Sequence, residues 1–262
     1  MIIRIFNAIV FSNIWISFGA VGTTLSYYRF AGEEINYLYL ILVFFATLFA
    51  YNLQYLTDEK VNPERYTQSS WLLNNIKLIK IITFSSFVIC SLLSLVIFPI
   101  HVLIMSLPVF LIVYFYKKGK INRFSLRNIP LIKIIVISFC WMWLSSIIPH
   151  LINNNHINWN ISLFIFFYVF TITLPFDIRD SNFDNHSLMT FPQLIGKKGT
   201  YFFSVFMILF LVLGALYCSK YSLVLFLFVT LLLILPTFKS RKEHYYLFVL
   251  DGLLLVFPIF VI

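Results

Sequence analysis

The chain alternates long apolar runs with short polar connections, a pattern that predicts a bundle of membrane-spanning helices. Each run is close to the length that a helix needs to cross about 30 Å of hydrocarbon. The pattern therefore predicts an all-α integral membrane protein, a nine-helix transmembrane bundle that forms a single domain over residues 1–262. The predicted spans cover residues 8–28, 36–57, 77–97, 100–116, 131–149, 160–178, 200–218, 221–238 and 246–262.

Composition supports this class of protein. Hydrophobic residues make up 61% of the chain and charged residues 11%, whereas a soluble domain is about 25% charged. The net charge of +9 lies in the connections between predicted spans, which indicates membrane topology rather than a nucleic-acid footprint. We therefore expect membrane lipid as a partner and no nucleic acid.

The basic residues also predict an orientation. If the N-terminus is cytoplasmic, all of the 19 Lys and Arg residues except Arg29 and Lys220 lie at the inner face. This asymmetry is the one that the positive-inside rule describes. We expect a multi-pass protein, in a bacterial inner membrane, with any active site at the cytoplasmic side.

Three carboxylates follow the sixth predicted span. Asp177, Asp180 and Asp184 stand at positions i, i+3 and i+7, so a continuing helix would place them on one face over two turns. Like charges this close repel each other unless a cation lies between them. Carboxylate oxygens are ligands that Mg²⁺ prefers, and the cluster therefore predicts a magnesium site.

The segments 176–184 and 190–198, which contain these carboxylates and the stretch from Thr190 to Lys198, resemble the second signature of the UbiA superfamily of intramembrane prenyltransferases. That signature is an Asp-rich segment followed by a Thr-containing stretch. The number of predicted spans, the position after span six and the expected cytoplasmic placement agree with the resemblance, which extends over most of the chain.

The family's first signature is an Asn followed by three spaced Asp residues. Here Asn52 matches, but Leu53, Leu56 and Lys60 stand where the family has Asp. Glu59 is seven residues from Asn52 and would share its helix face, so it is a candidate replacement ligand. Lys60 could bind diphosphate directly as a point charge. The alternative is that this end of the helix is simply solvated.

In the family, each Asp motif holds Mg²⁺ at one side of a prenyl diphosphate. The resemblance therefore implies metal ligands at Asp177, Asp180, Asp184, Asn52 and Glu59. Candidate diphosphate-binding residues are Lys60, Arg65, Tyr114, Lys118, Lys133 and Arg179.

Some of these candidates have ordinary explanations as well. The segment from Tyr114 to Lys118 resembles a diphosphate-binding segment of the family, but basic residues there also follow from the positive-inside rule. Lys133 either reaches into a cavity or extends to the membrane interface. Asp251, inside the ninth predicted span, either belongs to a site or pairs with a nearby cation.

The resemblance implies a Mg²⁺-dependent enzyme that moves a prenyl group from a prenyl diphosphate to an acceptor. The acceptor would be an aromatic, quinone-precursor-like compound or another lipid-soluble molecule. Two alternatives stay open on the sequence. The chain could be a non-catalytic isoprenoid-binding protein or scaffold of the same fold, because the first motif is altered. It could also be a secondary transporter, which would need ion sites near the bilayer centre.

Overall fold

The computed structural model describes residues 2–57, 66–116, 126, 129, 131–153, 157–181 and 189–261, and the regular structure within these ranges is helical. Two helices contain a wider π-helical turn, at Trp143–Ile147 and at Tyr245–Leu250. The helices, in chain order, are α1 (Ile2–Phe11), α2 (Ile14–Ala31), α3 (Tyr37–Leu56), α4 (Thr67–Asn74), α5 (Ile76–Ile97), α6 (Ile100–Phe115), α7 (Ile132–Ile152), α8 (Trp159–Asp180), α9 (Phe191–Tyr217), α10 (Tyr221–Phe238) and α11 (Tyr245–Phe260).

Six helices are long and apolar enough to cross a membrane, namely α3, α5, α7, α8, α9 and α10. Helices α1 and α2 meet the same criterion together, but they are bent by 60° where they join. Helices α6 and α11 are shorter and apolar, and they occupy the fourth and ninth predicted spans. The all-α membrane architecture is confirmed, while the count of nine crossings and the cytoplasmic N-terminus stay predictions.

The bend between α1 and α2 is at Asn13, whose backbone is left-handed with φ 68°. Asparagine is among the few residues that adopt this conformation readily. Other helix ends carry ordinary caps. The side chain of Asn36 accepts a hydrogen bond from the Tyr39 amide at the start of α3, and Thr190 with Gln193 forms a capping box at the start of α9. The polar residues between the apolar runs therefore define where several helices begin.

Helix α2 lies in the centre of the bundle and packs against α3, α7 and α11. Its hydroxyl side chains donate to backbone carbonyls one turn earlier: Thr23 to Gly19, Thr24 to Ala20 and Ser26 to Gly22. Small residues that satisfy their own polar groups let helices approach closely in a membrane, where apolar burial alone does not drive association. Large apolar side chains such as Phe84 and Val96 are instead exposed on the outer surface, as a lipid solvent permits.

Gly22 is the point of closest approach between α2 and α11. A Cβ atom on Gly22 would lie 2.5 Å from the Leu254 carbonyl oxygen and 2.8 Å from the Leu255 Cα atom. Both atoms belong to the backbone, so no side-chain rotation could relieve the clash. The two helices can approach this closely because glycine has only a hydrogen atom where other residues have a Cβ atom.

We predict that Gly22→Ala lowers the stability of the protein in detergent by about 1–3 kcal/mol, because the added methyl group separates α2 from α11. The matched control is Gly214→Ala in α9, where a Cβ would meet nothing within 4 Å. The control gains the helix propensity of alanine without a clash, so it should be neutral or stabilising. Equal thermal unfolding midpoints for the two variants would contradict the close approach.

Candidate functional site

Two helix ends bring charged side chains together at one end of the bundle. Lys133 lies in the first turn of α7, and Asp177 and Asp180 lie in the last turn of α8, which packs along α7. The Lys133 Nζ atom is 2.6 Å from a carboxylate oxygen of Asp177 and 3.4 Å from one of Asp180. The side chain of Asp177 is only 2% exposed. A lysine ammonium is therefore the cation that lies between the two carboxylates.

Asp180 has two further partners. The Arg179 Nε atom donates to it at 2.8 Å, and the Tyr66 hydroxyl donates at 2.5 Å. The guanidinium carbon of Arg179 lies 4.7 Å from the ring centre of Tyr66 and 5.2 Å from those of Phe176 and Tyr246. Aromatic faces attract a cation at such distances, so Arg179 is held both by its ion pair and by the surrounding rings. Two carboxylates and two cations make the cluster formally neutral.

An amide network lies beside this cluster. Asn13 donates through its side chain to the Asn52 side-chain oxygen at 3.0 Å. Asn52 in turn donates to the carbonyls of Ser12 and Leu48, while Gln68 donates to the Asn13 side-chain oxygen at 3.2 Å. Asn52 is completely buried. The network ties α3 and α4 to the bend between α1 and α2, and it places Asn13 rather than Asn52 at the cavity wall.

Three adjoining cavities share lining residues, and Lys133 of the charged cluster lines two of them. The first, of about 230 Å³, is lined by Lys133, Arg179, Asp180 and Asp251 together with apolar side chains. The second, of about 340 Å³, shares Lys133 with the first and is lined by α3, α4, α6 and α7. The third, of about 250 Å³, lies among α3, α5, α6 and α7 and is predominantly apolar.

Tyr51 and Trp141 line all three cavities. The indole nitrogen of Trp141 donates to the Tyr51 hydroxyl at 3.4 Å. The two rings therefore stand where the charged chamber meets the apolar one. A charged cavity and an apolar cavity thus lie next to each other and share these two rings, an arrangement that fits an amphiphile with an anionic head and a hydrocarbon tail.

The structure brings together four of the predicted site residues, namely Asp177, Asp180, Lys133 and Arg179. Asn52 lies behind Asn13, and its side-chain oxygen already accepts a hydrogen bond. Tyr114 is 49% exposed and packs on Phe115, away from the cavities described above. The metal role of Asn52 and the diphosphate role of Tyr114 stay predictions. The remaining predicted residues, Asp184, Glu59, Lys60, Arg65 and Lys118, lie outside the described residues.

The sequence interpretation missed Asn13, Gln68 and Tyr66. Asn13 had a visible signal, because it is an amide inside the first apolar run. Tyr66 caps the start of the short helix α4 and Gln68 lies in its first turn. The position of α4 against the site depends on contacts between distant parts of the chain. Tyr66 reaches Asp180 across 114 positions of sequence.

The described residues offer a limited donor set for Mg²⁺. Within residues 2–57, 66–116, 131–153, 157–181 and 189–261, no group of three or more His, Cys, Asp or Glu side chains is arranged to hold a metal. Asp177 and Asp180 remain a suitable pair, because Mg²⁺ is commonly held by one or two carboxylates with water and substrate phosphates. Lys133 competes for the same oxygens.

No family model matches the chain, and no curated protein matches it. Among solved structures, the fold matches the apo structure of a UbiA homologue from Aeropyrum pernix K1. The match covers 95% of this chain and 94% of the homologue, with a TM-score of 0.60 and 14% sequence identity. The chain therefore has the fold of a UbiA homologue, and the resemblance inferred from the sequence is confirmed at the level of the fold.

We predict that Lys133→Met destabilises the protein by about 3–5 kcal/mol, because it leaves two carboxylates facing each other with one neutralising cation removed. The double variant Lys133→Met/Asp177→Asn should recover a large part of this loss. Chemical unfolding in detergent measures the free energy of unfolding of the single and of the double variant. Lys80→Met, which removes an exposed lysine from α5, serves as the control and should change stability little. A double variant that is no more stable than Lys133→Met would contradict the pairing.

Proposed function

We propose that the chain is a UbiA-like membrane prenyltransferase, which binds a prenyl diphosphate and transfers its prenyl group to an aromatic or other lipid-soluble acceptor. The observation that carries this proposal is the series of adjoining cavities, with shared lining residues, between the Lys133–Arg179 end and the apolar cavity. A prenyl diphosphate has the matching polarity, since its head is strongly anionic and its tail is hydrocarbon. The likeness to a UbiA homologue over 95% of the chain supports the same assignment.

The head of the substrate would bind at the charged cluster. Lys133 can move from the carboxylates to a phosphate oxygen through rotation of its flexible stem, and it offers three donors. Arg179 is fixed by Asp180 and by aromatic rings, so it presents a positive charge at a constant position. Both cations would stabilise the negative charge that builds on the diphosphate as it departs.

Mg²⁺ would be held by Asp177 and Asp180 and would supply further neutralisation of the diphosphate. Binding of the metal there competes with Lys133, because the ammonium contacts both carboxylates.

The transfer itself breaks the bond between the allylic carbon and the diphosphate oxygen and forms a bond from that carbon to the acceptor. The acceptor then loses a proton. The electron-poor allylic group would lie near Tyr51 and Trp141, whose aromatic faces attract positive charge. The apolar lining excludes water, which would otherwise capture the cation.

A non-catalytic isoprenoid-binding role is the second candidate, and one observation favours it. The Asn52 oxygen accepts a hydrogen bond from Asn13, and Leu53 and Leu56 stand at positions where the family has carboxylates. Such a protein would bind prenyl diphosphate and release no diphosphate. The transporter alternative is less favoured, because the ion pairs among the described residues lie at helix ends: Lys133 with Asp177 and Asp180, and Arg179 with Asp180, at one end of α7 and α8, and His150 with Glu33 near the other end of α7.

We expect purified protein to bind labelled prenyl diphosphate and, with a suitable acceptor, to release diphosphate in a Mg²⁺-dependent manner. Asp177→Asn and Asp180→Asn should each weaken the Mg²⁺-dependent part of binding by about tenfold or more, because each removes a charged ligand (about 1.5–3 kcal/mol). Glu34→Gln, at an exposed position far along the sequence from the cluster, is the control.

Binding is measured by calorimetry and release by a diphosphate assay, below the unfolding temperature of the least stable variant. Binding without release would favour the non-catalytic alternative. Equal binding by the parent and both Asp variants would overturn the assignment of the cluster as the head-group site.

We also predict that Ala46→Phe shifts the preference toward shorter prenyl chains. Ala46 lines the apolar cavity, so a phenyl ring there would fill space that a long tail needs. Affinity for a long-chain prenyl diphosphate should fall by about tenfold relative to a short-chain one, the equivalent of one or two buried methylene groups. Val88→Phe, at a partly exposed position of α5 outside these cavities, is the control. An unchanged ratio between the affinities for long-chain and short-chain prenyl diphosphate would show that the tail does not occupy this cavity.

A further inference from the structure

A separate basic cavity lies on the other side of Arg179. Its volume is about 730 Å³, larger than any of the three cavities above, and it is formed by the end of α8, the start of α9, the start of α4 and the connection between α10 and α11. Among the described residues, four cationic side chains line it, namely Arg179, Lys197, Lys198 and Arg241, together with one carboxylate, Glu243. These charges come from three separate segments of the chain.

Among the described lining residues, Arg179, Lys198 and Arg241 outnumber the carboxylate Glu243, even with Lys197, which has an interaction partner of its own, left out of the comparison. Glu243 accepts a hydrogen bond from the Gln68 backbone amide with both carboxylate oxygens at 3.3 Å, so part of its charge is already engaged. Asp180, the partner of Arg179, lines the neighbouring chamber and does not line this one. The cavity therefore attracts anions.

Arg179, which lines both this cavity and the chamber beside Lys133, supplies a second sign of a ligand. Its Nε atom is engaged by Asp180, yet its Nη1 atom is buried and has no hydrogen-bond partner among the described residues. A buried donor without an acceptor is costly and uncommon in native structures. The planar guanidinium is well suited to phosphate oxygens.

Two further residues of the wall are oriented by hydrogen bonds to backbone carbonyls. The Arg241 Nε atom donates to the Pro236 carbonyl at 2.8 Å, which orients this side chain at the end of α10. Tyr201, Phe238 and Tyr246 give an aromatic surface beside the cations. Tyr201 is fixed by a hydrogen bond from its hydroxyl to the Leu235 carbonyl. Basic and aromatic walls together match a phosphate group attached to a less polar body.

We infer that this cavity is a second anion site, which binds a phosphate-bearing group independently of the prenyl diphosphate chamber. Arg179 lines both cavities, while Lys197, Lys198 and Arg241 line this one. The phosphate could belong to an anionic lipid head group or to free phosphate or diphosphate, since the recognising chemistry is the same. The inference does not depend on prenyl transfer.

Positive-inside topology alone would also gather basic residues here, and the chain offers a matched test of that explanation. Lys239 and Lys242 belong to the same connection between α10 and α11 and are exposed, but they do not line the cavity. If anion binding depends only on the overall positive charge of this face, substitution of Lys239 and Lys242 should weaken it as much as substitution of lining residues does. If the cavity is a defined binding site, only substitution of lining residues should weaken it.

The experiment compares Lys198→Gln/Arg241→Gln with the control Lys239→Gln/Lys242→Gln. In one arm, calorimetry in neutral detergent measures binding of inorganic phosphate and pyrophosphate. In the other, native mass spectrometry measures retention of phosphatidylglycerol by protein taken from nanodiscs of phosphatidylcholine with phosphatidylglycerol.

The lining variant should weaken binding by about tenfold or more in at least one arm, the loss expected for charge-assisted hydrogen bonds, while the control stays within about twofold of the parent. The arm that responds identifies the source of the phosphate. Equal losses in the two double variants, or no binding in either arm, would overturn the inference.

Lys133→Met separates this inference from the proposed function. It should abolish binding of prenyl diphosphate in the main chamber and leave unchanged the part of binding in the responding arm that Lys198→Gln/Arg241→Gln removes. Loss of both activities in Lys133→Met, at a temperature where the variant is folded, would show that there is one anion site and contradict the second.

Discussion

The contact of the Lys133 ammonium with the carboxylates of Asp177 and Asp180 is the interaction on which this end of the molecule depends. Two carboxylates one turn apart on a membrane helix repel each other and are costly to desolvate. A cation from the neighbouring helix removes much of that cost and joins α7 to α8 at the same time. The site thus also holds α7 and α8 together. A ligand that draws Lys133 away must supply another positive charge or hydrogen-bond donor for the two carboxylates.

The rest of the architecture keeps this contact in place without using many charges. Helix α2 satisfies its hydroxyl groups on its own backbone and approaches α11 through Gly22. The Asn13–Asn52 amide pair joins the bend of the first two helices to α3. Neutral hydrogen bonds of this type cost little to bury when both partners are satisfied. The cluster of Lys133, Asp177, Arg179 and Asp180 can therefore lie at one end of α7 and α8, beside the cavities.

The sequence predicted the helical membrane fold well, because apolar runs of membrane length have few alternative structures. It also predicted the register of Asp177 and Asp180, which depends only on local helix spacing. The partner of these carboxylates was not predicted, since Lys133 is 44 positions before Asp177 and its direction is decided by packing of α7 on α8. The contacts of Asn52 were not predicted either. Its identity matched a family motif, but its hydrogen-bond partner Asn13 is positioned by a left-handed backbone conformation.

The most direct measurement of the central claim is an experimental structure with a non-reactive prenyl thiodiphosphate bound, in which anomalous scattering locates the sulfur and phosphorus atoms. The account predicts the diphosphate beside Lys133 and Arg179 and the tail passing Tyr51 and Trp141 into the cavity among α3, α5, α6 and α7. It also predicts that the Lys133 ammonium has moved from Asp177 toward the phosphate. A diphosphate bound elsewhere, with Lys133 still between the two carboxylates, would contradict it.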